Sequence, residues 1–336
     1  MLPGFRALAW VDDVLYASRG YSLFRAKIAG ENIHWKHVGD FDPAWWRRLS
    51  SRSRLATRAC RDGFHALVVL PSGEIIGAVP KAIVKLRPGA RQFAITHRVL
   101  RGTRPLHIAV TREQHIFWGE YFDNPARHEV HIYASTDYGS HWDVAYTFSR
   151  HSIRHIHNLV YDRWEDCLWI TTGDDGSECQ IMRADRDFRN VESVLSGSQQ
   201  VRSVALIPTE DAIYFSSDTP AERNHIYRMD RRGNVNELST LNGSSICGCR
   251  VGDSVFFSTM VEPSRINCDS NVRIYASGGG EQFVPVLSWK KDRWPMCLLQ
   301  YGNAFFPDGE NETNILAVTT VAVKSADMVT HLYRLS

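Results

Sequence analysis

The stretch "HIYRM" at 225–229 returns as "HLYRL" at 331–335 and, more loosely, as "HIYAS" at 131–135. A polar or small residue followed by two apolar ones also opens "SLFRA" (22–26), "AIVKL" (82–86), "QIMRA" (180–184) and "RIYAS" (273–277). The second residues of the seven words are Leu23, Ile83, Ile132, Ile181, Ile226, Ile274 and Leu332. They lie at steps of 60, 49, 49, 45, 48 and 58 residues. Seven copies over 336 residues give a mean period of 48 (336/7), the mark of a repeat architecture.

The flanks of the word repeat as well. Residues 201–241 read as four strand-length runs, "VRSVALI", "AIYFSS", "HIYRMD" and "VNELSTL". Between them stand "TED", the Pro-containing "DTPAERN" and the Gly-containing "RRGN", which are turn and loop signals. No long segment has the 3.6-residue period of an amphipathic helix. Residues 104–148, 155–195 and 247–289 follow the same scheme. Four antiparallel strands repeated seven times predict an all-β fold, a seven-bladed β-propeller whose radial closure protects its sheet edges. The repeat runs through residues 1–336, so one propeller domain is expected. "HLYRL" reads as a third strand with one residue after it, and a three-stranded last blade is predicted. The alternative is a fourth strand from the N-terminal segment near "FRALAW" (5–10).

Composition narrows the partners. A hydrophobic content of 43% suits a well-filled core, and a net charge of +2 does not suggest generic nucleic-acid binding. No run of 18 apolar residues exists, so no membrane span is expected. The start, "MLPGFRALAWVDDVLY", lacks the basic and apolar pattern of a signal peptide, and a cytoplasmic location is the expectation. Seven cysteines without framework spacing fit a reducing compartment. Cys247 and Cys249 in "CGC" share one face of a strand and read as buried thiols.

The third repeat contains "STDYGSHW" (135–142), with Ser135, Asp137, Gly139 and Trp142 in an S-x-D-x-G-x-x-W pattern. It resembles the Asp-box, the turn signature of the sialidase-like propeller superfamily. Asp137 is suited to bind neighbouring backbone N–H groups, Gly139 to take the tight turn and Trp142 to cover the outer strands. That role is structural and says little about chemistry.

Chemistry is expected where the innermost strands begin, on the face shared by the loops from strand four to strand one and from strand two to strand three. The strand starts "RDGFHALVV" (61–69), "RPLHIAV" (104–110) and "RHIHNLV" (154–160) each carry a His, with an Arg three or four residues before it. These are His65, His107 and His157, with Arg61, Arg104 and Arg154; the next repeat keeps only Arg202. Three imidazoles at matching positions of adjacent blades predict a divalent metal site (Mn, Zn or Ca). The arginine forks are matched to a carboxylate. The intervening loops add Glu120, Tyr121, Asp174, Asp175, Asp218 and Glu262, while Trp118, Tyr121 and Tyr301 are candidates for stacking on sugar faces. The long linker "PAWWRRLSSRSRLATRACRDG" (43–63) reads as a lid or a solvated insertion.

A three-His set on a seven-bladed propeller resembles oligogalacturonate lyase, which implies a metal-assisted elimination on a uronate-containing glycan. His155, His157 and Tyr121 are then the candidate bases, with Glu120 beside them. Arg61, Arg104, Arg154, Arg202, Asp174, Trp118 and Tyr301 are the candidate substrate contacts. Two alternatives stay open. One is a sialidase-like glycoside hydrolase using several arginines, a Tyr nucleophile helped by a Glu, and an acidic Asp, drawn from Glu120, Glu262, Tyr301 and Asp62. The other is a propeller that only binds a glycan or a protein.

Overall fold

The structure is a computed structural model that describes residues 1–28, 33–279 and 281–335. Seven sheets follow one another along the chain, and each meanders outward from an innermost strand. In blades 1 to 6 the innermost strands are Arg6–Asp12, Ala66–Val69, Ala109–Val110, Ile156–Asp162, Ser203–Pro208 and Ser245–Val251. Blade 7 begins with Asn303–Phe305. All seven recurring words lie on third strands, where side chains alternate between the two faces of the blade. The second residue of the word points into the layer between blades, and Leu23, Ile83, Ile132, Ile181, Ile226 and Ile274 are all 0% exposed.

The apolar interior is therefore not one central mass. It divides into seven wedges, each shared by two neighbouring blades. Blades 1 and 2 bring together Tyr16, Leu23, Leu67 and Val84; blades 7 and 1 bring together Trp10, Leu15, Ile315 and Ala317. Stacking neighbours buries what a single four-stranded sheet cannot bury alone.

Ring closure differs from the expected three-stranded blade. Leu2–Pro3 adds a fourth, outermost strand to blade 7, pairing with Val329 and Thr330. "FRALAW" itself belongs to the innermost strand of blade 1. A second latch lies at the centre: Asp308–Asn311 runs parallel to Ala9–Asp12. This acidic segment is thus a channel strand that lies in the chain between the first and second strands of blade 7. Leu332 is only partly buried, since the two-residue Leu2–Pro3 strand gives blade 7 little outer cover.

The linker at 43–63 is a fixed strut. It holds two short helices, α1 (Trp45–Ser50) and α2 (Arg54–Cys60). Arg58 on α2 is fully buried. It donates to Asp292 at 2.6 Å, Asp327 at 3.0 Å and the Leu299 carbonyl at 3.0 Å, tying the strut to α3 (Met296–Leu299) and to blade 7. Asp62, a candidate acid of the hydrolase reading, is buried and occupied here. It accepts from Tyr21 at 2.9 Å, Arg47 at 2.8 Å and Ser50 at 2.5 Å.

The 135–142 turn joins strands three and four of blade 3, at the end opposite the strut. Asp137 accepts backbone N–H groups of Ser140 and His141 at 3.0 and 2.9 Å, and Gly139 takes φ +77°. Burial pulls the Asp137 pKa upward, but bonds from His141, Ser135 and Ser140 outweigh it and hold the carboxylate well below its usual range. Trp142 donates to Thr96 on blade 2. Cys247 and Cys249 lie on the innermost strand of blade 6 as free thiols, and burial pushes the Cys247 pKa up to about 12. No described helix is long and apolar enough to cross a membrane.

Candidate functional site

The loops entering the innermost strands and those after the second strands surround one mouth at the top of the channel. Its best-defined corner is on blades 4 and 5. Register in blade 4 shifts between Ile156 and Asn158, a bulge that re-aims His157. His155 and His157 then meet, with their Nε2 atoms 3.0 Å apart. Asp174 comes from the following loop, its oxygens 3.4 Å from His157 Nε2 and 3.7 Å from His155 Nε2. Tyr121 packs at a tilt against the pair, its ring centroid 4.4 Å from that of His155 and 6.3 Å from that of His157.

Arg154 and Arg202 close this corner. Arg202 lies 3.1 Å from Asp174 and 3.6 Å from Asp218; Arg154 lies 2.6 Å from Asp123 and 3.3 Å from Asp174. Burial alone raises the Asp174 pKa, but the neighbouring His157 and His155 and the charge of Arg202 bring it down to about 2. Asp218 is the opposite case: burial pushes it up to about 6, although Arg202 opposes the rise. Burial holds His155 down to about 4, with help from His157.

The other side of the mouth is built by blades 1 to 3. Arg61 caps the C-terminus of α2 in the left-handed region, at φ 52°. Its carbonyl is 2.8 Å from His65 Nε2. His65 Nδ1 in turn lies 3.1 Å from Arg6 Nη1, and the Arg6 guanidinium sits over Phe305. Arg104 completes the group, and its buried Nε has no hydrogen-bond partner. Burial, reinforced by Arg6 and Arg61, pulls the Arg104 pKa down to about 9. Among the described residues, Arg6, Arg61 and Arg104 have no carboxylate oxygen within 4 Å.

Several sequence expectations change. The trio His65, His107 and His157 does not converge: His65 is taken up by Arg61 and Arg6, His107 faces Asp308 at 3.6 Å, and His157 joins His155. The positions only look equivalent. His65 and His107 precede their strands by one and two residues, whereas His157 is the second residue of its own, at a bulge. Among the described residues, the side chains placed to hold a cation are instead His155, His157 and Asp174, or Asp162, Glu165 and Cys167. The latter set is engaged by Arg231, Trp169 and two backbone N–H groups at a turn. Trp118 is 1% exposed and stacked on Tyr133, away from the mouth. Glu120 is buried against Arg101 and accepts the His131 N–H at 2.9 Å. Arg154 and Arg202 are paired with acids, so Arg61 and Arg104 are the free forks. Tyr301 lies at the rim beside Glu262. Arg6 was not among the sequence candidates; its signal is a lone Arg opening the innermost strand of blade 1.

No family model matches the chain, and no curated protein matches it. Solved structures share its fold. The WD40 β-propeller domain of Doa1 is 10% identical at TM-score 0.60, with 100% of this chain and 95% of that one covered. A chain of the mitotic checkpoint complex is 10% identical at TM-score 0.59, with 99% and 92% covered. A prolyl endopeptidase is 12% identical at TM-score 0.58, and the match covers 50% of its length. At these identities the likeness shows the propeller fold and nothing of its chemistry.

Proposed function

We propose that the mouth binds an acidic, uronate-containing oligo- or polysaccharide and cleaves it by β-elimination. One observation carries the reading: Arg61 and Arg104, without a carboxylate within 4 Å, lie near Tyr121 of the His155–His157–Asp174–Tyr121 corner. A carboxylate held by two guanidinium groups loses part of its charge to them, which acidifies the proton on the adjacent carbon. A base at the opposite corner, drawn from His155, His157 and Tyr121, removes that proton, and the glycosidic oxygen leaves. Tyr121 and Tyr301, 36% and 38% exposed, offer faces for sugar rings. The test is incubation with uronate oligosaccharides while following the ultraviolet absorbance of the unsaturated product. New reducing ends without that absorbance refute elimination.

A second reading has its own support. Glu262 and Tyr301 form the carboxylate–phenol pair that a sialidase-like hydrolase needs, and Arg61 lies near Tyr301. The burial of Asp62 beneath the strut counts against it. Hydrolysis of an acidic glycoside, abolished in Tyr301→Phe, selects this reading. Tight glycan binding with no turnover selects a propeller that only binds.

A further inference from the structure

The His155–His157 contact poses a problem of hydrogen-bond accounting. His155 Nδ1 lies 3.0 Å from the Phe122 carbonyl and His157 Nδ1 lies 3.1 Å from the Ser203 carbonyl. A carbonyl only accepts, so each Nδ1 carries the proton. A ring protonated at Nδ1 alone presents a bare lone pair at Nε2. Here two such lone pairs face each other at 3.0 Å, with the Asp174 carboxylate at 3.4 and 3.7 Å. Three acceptors surround one point, and the nearest donors, Arg202 and Arg154, reach the Asp174 oxygens at 3.1 and 3.3 Å and not the two ring nitrogens.

We infer that this point is a divalent transition-metal site with His155 Nε2, His157 Nε2 and an Asp174 oxygen as its protein ligands. A metal-bound His commonly gives its second N–H to a backbone carbonyl, which fixes the tautomer and aims the ring. Phe122 and Ser203 supply those carbonyls. Two nitrogens each about 2.1 Å from one ion and 3.0 Å from each other subtend nearly a right angle, which suits a site with open positions for substrate or water. The charge around the point agrees: Asp174, Asp123, Asp218 and Glu262 are four carboxylates, against the two guanidinium groups of Arg154 and Arg202. Two imidazoles with one carboxylate favour Zn²⁺ or Fe²⁺ over Ca²⁺, which prefers oxygen ligands. With both rings ligated, Tyr121 is left as the base of the proposed elimination; the site itself does not rest on that chemistry, because binding is measurable without substrate.

The experiment is calorimetric titration of untagged, chelator-treated protein with Zn²⁺, with Co²⁺ absorption as a readout of coordination. One ion per chain is expected. His155→Ala and Asp174→Asn each lower affinity at least a hundredfold and abolish the cobalt spectrum. His65→Gln and His107→Gln leave both unchanged, which separates this site from a spread-out histidine set. Asp174 is the more exposed ligand, so its variant remains informative if His155→Ala fails to fold. Absence of a bound ion at millimolar Zn²⁺, or binding unaffected by Asp174→Asn, overturns the inference and leaves a shared proton between the rings.

Discussion

The two sides of the mouth are built from the same residue types in opposite states. On blades 4 and 5, Arg154 and Arg202 are each held by two carboxylates. On blades 1 to 3, Arg6, Arg61 and Arg104 crowd together without one, and the nearest titratable partner is a His fixed as neutral by burial. A buried charge that lacks a partner costs stability, whereas a paired one costs far less. The contrast teaches where to look for a ligand: paired arginines hold the loops in place, and unpaired ones hold what enters.

The sharpest way to break this comparison is Arg58, a paired charge far more buried than any at the mouth. Arg58→Met leaves Asp292 to Lys291 and Asp327 to the more exposed Arg54, and it releases the strut, so denaturant unfolding should show a loss of about 3 kcal/mol. A loss under about 1 kcal/mol contradicts the view that the strut is fixed. Arg104→Met is the converse. Melting should stay level or rise, while affinity for a uronate oligosaccharide falls ten- to a hundredfold, equal to about 1.5–3 kcal/mol for a charged hydrogen bond. A drop in melting temperature with unchanged affinity would place Arg104 among the structural charges.

Asp218 tests the paired side through pH. Its native pKa, about 6, lies above the ordinary 3.8, so the folded chain holds this proton more tightly. Its contribution to stability is complete below pH 3.8 and is lost as pH rises through 6. Asp218→Asn should therefore be more stable than the parent by about 3 kcal/mol near pH 8 and equal to it near pH 4. Equal stability at both pH values would mean that Arg202, His157 and Ser244 already compensate the buried carboxylate. The smallest effect belongs to the blade-3 turn, remote from the mouth. Asp137→Ala should cost about 1 kcal/mol or somewhat more. Activity per folded molecule should not change, and a loss of turnover at unchanged melting would move the turn into the site.

The site was less legible than the fold, and particular residues show why. Period and alternation survive small errors of register, because burial between blades requires an apolar side chain at Ile132 or Ile226 wherever the strand precisely begins. A site does not survive them. The bulge at His157 turns one ring toward His155, and no spacing rule announces it. Position in a loop-proximal segment predicts Trp118 and Glu120 at the mouth, yet one faces the wedge between blades 2 and 3 and the other is capped by Arg101. The arginines were found by repetition, but which of them are free depends on acids from other blades.

The sequence by itself determined the number of blades, the third-strand word, the turn around Asp137 and the face on which charged residues gather. These follow from local periodicity and turn chemistry, which act over a few residues and repeat. The tertiary structure alone decided how the ring closes, through Leu2–Pro3 at the rim and Asp308–Asn311 at the axis. It also decided which histidines meet and which arginines stay unpaired. Those outcomes depend on atoms far apart in the chain, such as Asp174 with Arg202 or Arg6 with His65, brought within about 3 Å only once seven blades have packed into a circle.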